Sequence, residues 1–512
     1  MNNQAVVAAG HEQTANTAAE ILNNGGNAFD AMIAAFFTAC VAEPILASVA
    51  GGGFMLTSGK NKQASIYDFF CQTPQQKKAE SELHFYPISA DFGNTSQCFH
   101  IGMGSVATPG CIRGMYQVHK DLASMPMHVL LQPAIELARN GVKINSFQSY
   151  IFEVISPILL ASDSSKLNYQ HPELKRLYQT NEVMKQSAFA NFLGTLATQG
   201  ENCFYQGDIA HLISDQCHQH GGHLTINDLQ HYQVIKRKPL EFNYRHTQIQ
   251  TNPPPSSGGT LIGLALKLLE SQNIQSIRFH DDDHLQLLSV VMELCNQARK
   301  QAVANPNSSS TLAHLLDDDL LKKYQTQIAG HFSCSRGTTH ISIIDKDQNL
   351  CGLTVSNGEG CGYMLEDTGI MLNNMLGEDD LNPGGFHRWP TDQRLTSMMS
   401  PGILHFDETH KVVFGSGGSN RIRTALTQVI SNLVDFNMNL EDAIKAYRTH
   451  FEHGIFNIEY LDKASQWQNR ENIRSWDEIN LFFGGVHAAS VNQNQVTGFG
   501  DPRRGGQVVY CT

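Results

Sequence analysis

With 512 residues, 41% of them hydrophobic, the chain is long enough to bury a large core, and its length alone accommodates roughly two to four domains. Its 36 basic and 48 acidic residues leave a formal charge of -12 without any long run of Lys and Arg, which argues against nucleic acid as a partner. Eleven cysteines without a CxxC pair point to reduced thiols, and no apolar stretch is long enough to span a bilayer, so a soluble protein with no membrane partner is expected.

The opening MNNQAVVAAGHEQTA lacks a basic start followed by an apolar core, which gives a cytoplasmic expectation, or a periplasmic one if a leader has been removed. From Glu12 to Glu43 two helices are predicted, separated by Gly25-Gly26. VAGGGFMLTSG then enters an apolar strand. Its glycines lack both GxGxxG spacing and a following GK[ST], so they read as close backbone packing and not as a phosphate loop.

Met125 to Val142 predicts a loop and an amphipathic helix closed by Asn140-Gly141. A second helix follows the stiff loop PPPSSGG, and a third runs from about Asp283 to Ala304. Two histidine-rich stretches have suitable ligand types for a metal. CHQHGGH (Cys217 to His223) reads as a Gly-containing turn and HDDDH (His280 to His284) as an aspartate cap before a helix, so no metal is expected at either.

The chemistry is concentrated in TTHISIIDKDQNLCGLTVSNGEGCG, from Thr338 to Gly362. A β-branched run, a polar DKDQN turn and a second alternating run predict a β-hairpin. If the turn centres on Asp347, opposed residues have numbers summing to 694, and Thr338 faces Ser356. Their Cβ atoms would then lie about 4.5–5.5 Å apart. A Thr hydroxyl needs a base to become a nucleophile, and the α-amino group of the same residue serves once cleavage exposes it. That amine has an ordinary pKa of about 7.7–8.0, so part of it is neutral near pH 7. Cleavage of Gly337-Thr338 therefore creates the catalyst, and Gly337, without a side chain, leaves the attack on its carbonyl unobstructed.

Ordered blocks along nearly the whole chain then identify a family: ILNNGGNAFDAMIAA, VAEPILASVAGGGFML, VATPGCIRGM, QPAIELARNGV, GGHLTINDLQHY, NPPPSSGGT, TTHISIIDKD, DTGIMLNNML, SMMSP, GSGGSNRI and DPRRGGQVV. The sequence resembles the gamma-glutamyltransferases (gamma-glutamyltranspeptidases, or glutathione hydrolases) of the N-terminal-nucleophile hydrolase superfamily. The resemblance implies an α+β fold, a four-layer αββα sandwich. Residues 1–337 would form a large subunit and 338–512 a small one, associated in one intertwined domain. It also implies an enzyme that hydrolyses or transfers γ-glutamyl amides through an acyl-threonine intermediate and requires no cofactor.

By the same resemblance Thr338 matches the nucleophile and Ser356 a second threonine that bonds the nucleophile's amine. Gly417 and Gly418 match the glycines of the oxyanion hole, with Ser419 sharing that role if the register is displaced by one residue. Glu378 matches the acid that binds a substrate amino group, its alternative being a solvated loop carboxylate in GEDDL, and Ser397 matches a serine near the substrate carboxylate. Asn357 and Met375 are further candidates for the substrate pocket.

The departures concern what is held. Phe70 stands where the family has a carboxylate-clamping arginine, Gly358 replaces an asparagine and Met375 a glutamine. Replacement cations would have to come from Arg394 or Arg421. The segment Asn382 to Arg394 is short beside a covering lid, which favours hydrolysis and larger acceptors. The rival readings are an acylase for a different acyl amide and a non-catalytic binding homologue.

Overall fold

The computed structural model describes residues 3–59, 63–91, 96–304, 314–317, 321, 338–382, 384–452, 454–468 and 470–512. The chain starts with β1 (Ala5–Ala9), α1 (Glu12–Asn23), α2 (Ala28–Ala42), β2 (Gly52–Ser58) and β3 (Ser65–Phe69). A largely helical stretch that includes α3 (Met127–Asn140) leads to β4 (Ile235–Arg237), β5 (Leu240–Tyr244) and β6 (Thr247–Thr251). Then come α4 (Gly258–Glu270), α5 (Asp282–Ala304), β7 (Thr339–Ile344) and β8 (Leu350–Ser356). The last part holds β9 (Gly402–His405), β10 (His410–Gly417), α6 (Arg421–Val434), β11 (Gly485–Asn492), β12 (Gln495–Gly500) and β13 (Gln507–Cys511).

Two antiparallel sheets organise these elements. The seven-stranded one runs β13-β1-β7-β8-β2-β3-β4 and the six-stranded one β12-β11-β10-β9-β6-β5. They face each other through β7 and β8 on one side and β10 and β11 on the other. Alternation along β7 explains the contact: Ile341 and Ile343 join the core beneath α2, while His340 and Ser342 point at the second sheet. There the Ser342 hydroxyl reaches the carbonyls of Val413 and His487, both at 3.2 Å. Helix α2 packs against β7 and β8, and α6 against β10 and β11.

The first helices meet at the predicted glycines. Helix α2 begins with a capping box, in which the Asn27 side chain accepts from Phe29 and Asp30 N–H at 2.8 and 3.0 Å and Asp30 accepts in return from Asn27 N–H. Its residues AFDAMIAAFFTACVA are buried throughout, so no polar face is needed. The glycines opening β2 are indeed a packing device: a Cβ on Gly53 would lie 2.6 Å from the Thr354 carbonyl oxygen of β8.

Among the described residues no helix is long and apolar enough to cross a membrane, and no three His, Cys, Asp or Glu side chains gather as metal ligands. At HDDDH, Asp281 accepts from His284 N–H at 3.0 Å and caps α5 as expected. The CHQHGGH stretch corrects the reading in part, because Cys217, His218 and Gln219 complete a helix (Asp208–Gln219) and the turn starts only after them.

Candidate active site

Residue pairs across the β7–β8 hairpin sum to 694 at every step, from Thr339 opposite Val355 to Ile344 opposite Leu350. The turn therefore centres on Asp347 as expected. Three backbone N–H bonds hold it: Asp347 and Asn349 donate to Asp345 Oδ1, and Gln348 to the Asp345 carbonyl. Extending the same register by one step sets Thr338 across from Ser356, on the face directed at the second sheet.

Both residues line a cleft of about 320 Å³ between the sheets, with Phe70, Met375, Glu378, Asp380, Leu381, Ser397, Met398, Met399, Ser419 and Ile422. Seven residues singled out from the sequence thus converge: Thr338, Ser356, Glu378, Ser397, Met375, Phe70 and Ser419. Asp380, Leu381, Met398, Met399 and Ile422 were not foreseen. They lie one to three positions from residues that were, so proximity along the chain was the only available signal.

Local structure aims each of them. The Ser356 hydroxyl accepts from Gly358 N–H at 3.0 Å. Gly358 has φ +64°, and a Cβ there would lie 2.0 Å from Asn374 Oδ1 and 2.9 Å from Glu378 Oε1. An asparagine at this position has no room, because the Asn374 side chain already fills it and accepts from Glu359 N–H at 2.8 Å. Glu378 follows a short helical turn, Met375–Gly377. Asn382 fastens that loop by donating to the carbonyls of Met375 and Glu378 at 3.0 and 2.7 Å. With 4% exposure, Glu378 is a pocket wall and not a solvated loop carboxylate.

Ser397 is held by the loop after the triple proline. Its carbonyl accepts from Ser256 Oγ at 2.7 Å and from the N–H groups of Ser257 and Gly258, while its own hydroxyl accepts from Met399 N–H. Asn357 is buried beside the cleft without lining it, donating to the Met371 carbonyl at 3.4 Å.

Gly417 ends β10 against the start of β7, where a Cβ would sit 2.0 Å from the Thr338 carbonyl oxygen. Gly418 (φ +118°) and Ser419 (φ 49°) then turn into α6. Of these three, Ser419 faces the cleft, and its hydroxyl donates to Asp380 Oδ2 at 2.6 Å. Asn420 adds a second bond to Asp380 at 2.7 Å, which ties the glycine turn to the Glu378–Asp380 loop.

Neither candidate replacement arginine lines the cleft. Arg394 is committed behind Phe70: it pairs with Asp68 at 3.3 Å, donates to the Phe70 and Gln233 carbonyls and packs over the Tyr232 ring. Arg421 lies over Phe482, 4.1 Å from its ring centroid, beside Glu452. Phe70 itself stacks on Phe54 at 5.4 Å. Among the described residues the cleft therefore has carboxylate, hydroxyl and apolar lining but no Lys or Arg.

On the other face of β7, Thr339 points away from the cleft and donates to Glu43 at 3.3 Å. Burial raises the Glu43 carboxyl to about 7, against the lowering effect of its bonds from Thr339 and Thr14 and of Arg504. Arg504 donates to the Thr338 carbonyl at 3.2 Å. Neither Glu43 nor Arg504 was singled out in the sequence, since nothing in VAEP or DPRRGG marks contact with residues 296 and 166 positions away. Gly337, the other half of the expected cleavage site, lies outside the described residues.

The sequence profile of the gamma-glutamyltranspeptidase family matches residues 14–511. The glutathione hydrolase proenzyme of Escherichia coli (strain K12) is 28% identical over 479 residues, covering 88% of this chain and 81% of its own length. The capsule biosynthesis protein CapD proenzyme of Bacillus anthracis is 29% identical over 512 residues, covering 98% and 89%. The crystal structure of cephalosporin acylase from Bacillus halodurans matches with a TM-score of 0.84 at 20% identity, covering 99% of this chain and 96% of that one, so the mixed helix-and-sheet fold is shared.

Proposed function

The chain belongs to the gamma-glutamyltranspeptidase family, and on that premise we propose that it is an autoprocessed threonine amidohydrolase with the four-layer αββα architecture. Cleavage before Thr338 yields residues 1–337 and 338–512 as associated subunits. The observation that carries the reading is the hairpin register, which sets Thr338 opposite Ser356 at the wall of a cleft shared by both sheets.

In maturation, Thr338 Oγ attacks the Gly337 carbonyl, the peptide nitrogen leaves as the Thr338 amine, and water opens the resulting ester. In turnover that amine takes the hydroxyl proton as Oγ attacks the substrate amide. The proton passes to the departing amine, and water or an acceptor amine then releases the acyl group from Thr338. Backbone N–H groups of the Gly417–Gly418 turn, with Ser419 adjacent, stabilise the oxyanion. Such donors contribute about 2.7–4 kcal/mol each. Ser356 orients the amine, Glu378 receives an amino group of the acyl chain, and Ser397 and Met375 bound it.

The substrate class is a γ-glutamyl or similar small-molecule amide. A denaturing gel with N-terminal sequencing tests the first half: two bands, the smaller beginning at Thr338, are expected, and one full-length band in mature, active protein would refute it. A chromogenic γ-glutamyl anilide beside its glutaryl analogue tests the second. Preference for glutaryl removes the role given to Glu378.

A second reading, an acylase for a different acyl amide, is favoured by one specific observation. The place of the carboxylate clamp is taken by Phe70, stacked on Phe54, with Arg394 turned away to Asp68. Turnover of amides that carry an amino group but lack the α-carboxylate, faster than of γ-glutamyl anilide, would select it.

A further inference from the structure

Arg504 is 5% exposed and sits where three glycines leave room for it. A Cβ at Gly417 would lie 3.2 Å from its Nη1, one at Gly418 3.4 Å from its Nη2, and one at Gly485 2.5 Å from its Cδ. Gly485 pairs directly with Gly417 across β10 and β11, so the side chain passes under one backbone step to reach the glycine turn. From there Nη1 donates to the Thr338 carbonyl at 3.2 Å. The same guanidinium thus touches the nucleophile's backbone and the turn to which oxyanion stabilisation was assigned.

We propose that Arg504 is a positioning residue: it fixes the Thr338 carbonyl against the Gly417–Gly418 turn, and its positive charge keeps the freed α-amino group of Thr338 neutral so that it can accept the hydroxyl proton. This rests on the reading of Thr338 as an N-terminal nucleophile. The Thr338 nitrogen is two bonds from the carbonyl carbon, so covalent geometry holds it within about 7 Å of Nη1. A cation at that range disfavours a second one on the amine by about one pH unit or more at protein-like dielectric.

Other charges face the same place. Arg421 adds to the effect. Glu43, Glu359, Glu378, Asp380 and Asp501 oppose it, but Asp501 is paired with Arg448 at 2.7 Å and with Arg503, and Asp380 is bonded by Ser419 and Asn420. Burial lowers Arg504 itself to about 10, with Glu359 and Asp501 acting the other way, so it remains a cation near neutral pH.

The test is the titration midpoint of the Thr338 α-amine, read by 15N NMR on the processed full-length protein labelled with 15N-threonine. We expect a wild-type midpoint below the ordinary range of about 7.7–8.0, a rise of about one unit in Arg504→Gln, no rise in Arg504→Lys and a fall in Glu43→Gln. An unchanged midpoint in Arg504→Gln overturns the proposal. If that variant does not fold or process, Arg504→Lys and Glu43→Gln decide: a raised midpoint with lysine, or a transition that vanishes in Glu43→Gln because it belonged to that carboxyl, overturns it equally. A wild-type protein that stays one chain and shows no α-amine signal defeats the nucleophile reading instead, which separates the two failures.

Discussion

The two sides of the cleft are built in different ways. The Thr338 side comes from one hairpin whose partners are neighbours in the chain, and its register follows from a five-residue turn. The opposite side is assembled from Phe70, the Met375–Leu381 loop, Ser397–Met399 and the start of α6, segments separated by as much as about 350 residues. A hairpin tolerates no register slip without turning every side chain to the other face. Loops joined by scattered hydrogen bonds can exchange one wall residue at a time. The contrast accounts for a hydroxyl pair fixed by one hairpin beside Phe70, Gly358 and Met375, the positions at which the sequence departs from the resemblance.

The difference between the two sides is open to experiment, beginning with the Thr338 hairpin. Thr338→Ala should remain one chain and lose at least about 10³-fold in activity; normal processing on a gel would show that the hairpin does not carry the chemistry. On the opposite side, Asp68→Asn leaves Arg237 and Arg394 without their shared carboxylate. Breaking such a buried pair destabilises by about 3–5 kcal/mol. A lowered melting temperature with processing intact is the expected outcome.

Glu43→Gln probes the support behind β7. Because burial raises the folded Glu43 carboxyl from 4.5 to about 7, the native state holds its proton more tightly than the unfolded chain, and stability falls as pH rises through that window. The variant should therefore be more stable than wild type at pH 8 by up to roughly 3 kcal/mol and nearly equal to it at pH 4. Chemical denaturation at the two pH values measures this, and a difference independent of pH contradicts it. The smallest effect is expected of Phe70→Leu, which removes part of a wall: KM should rise by up to about tenfold with kcat nearly unchanged, in steady-state kinetics.

What was legible in the sequence divides along the same line. Period-two alternation, a polar turn and β-branched runs are local signals, and they were sufficient to pair Thr338 with Ser356. The capped helices around Gly25-Gly26 were equally local. Arg394 could not be assigned from its surroundings, because what binds it is Asp68, the Phe70 carbonyl and Tyr232, all at least 160 residues away. Asp380 and Ser419 meet only after folding, and a one-residue uncertainty after β10 left open which of Gly417, Gly418 and Ser419 faces the cleft. Gly358 shows the limit most sharply: its departure from the family pattern reads as a lost contact in sequence, but in the fold it is demanded by a positive φ and by the Asn374 side chain.

The order β13-β1-β7-β8-β2-β3-β4 has a further consequence. Strands from before and after Thr338 are interleaved, with β1 hydrogen-bonded between β7 and β13. A cut ahead of Thr338 therefore releases nothing: neither piece can leave without tearing a ladder on both of its flanks. The native nicked protein should hold together however far it is diluted, whereas its recovery after complete denaturation becomes a meeting of two molecules, second order in concentration. Maturation of this kind turns a reversible fold into one assembled once, and its lifetime is then set by the rate of unfolding.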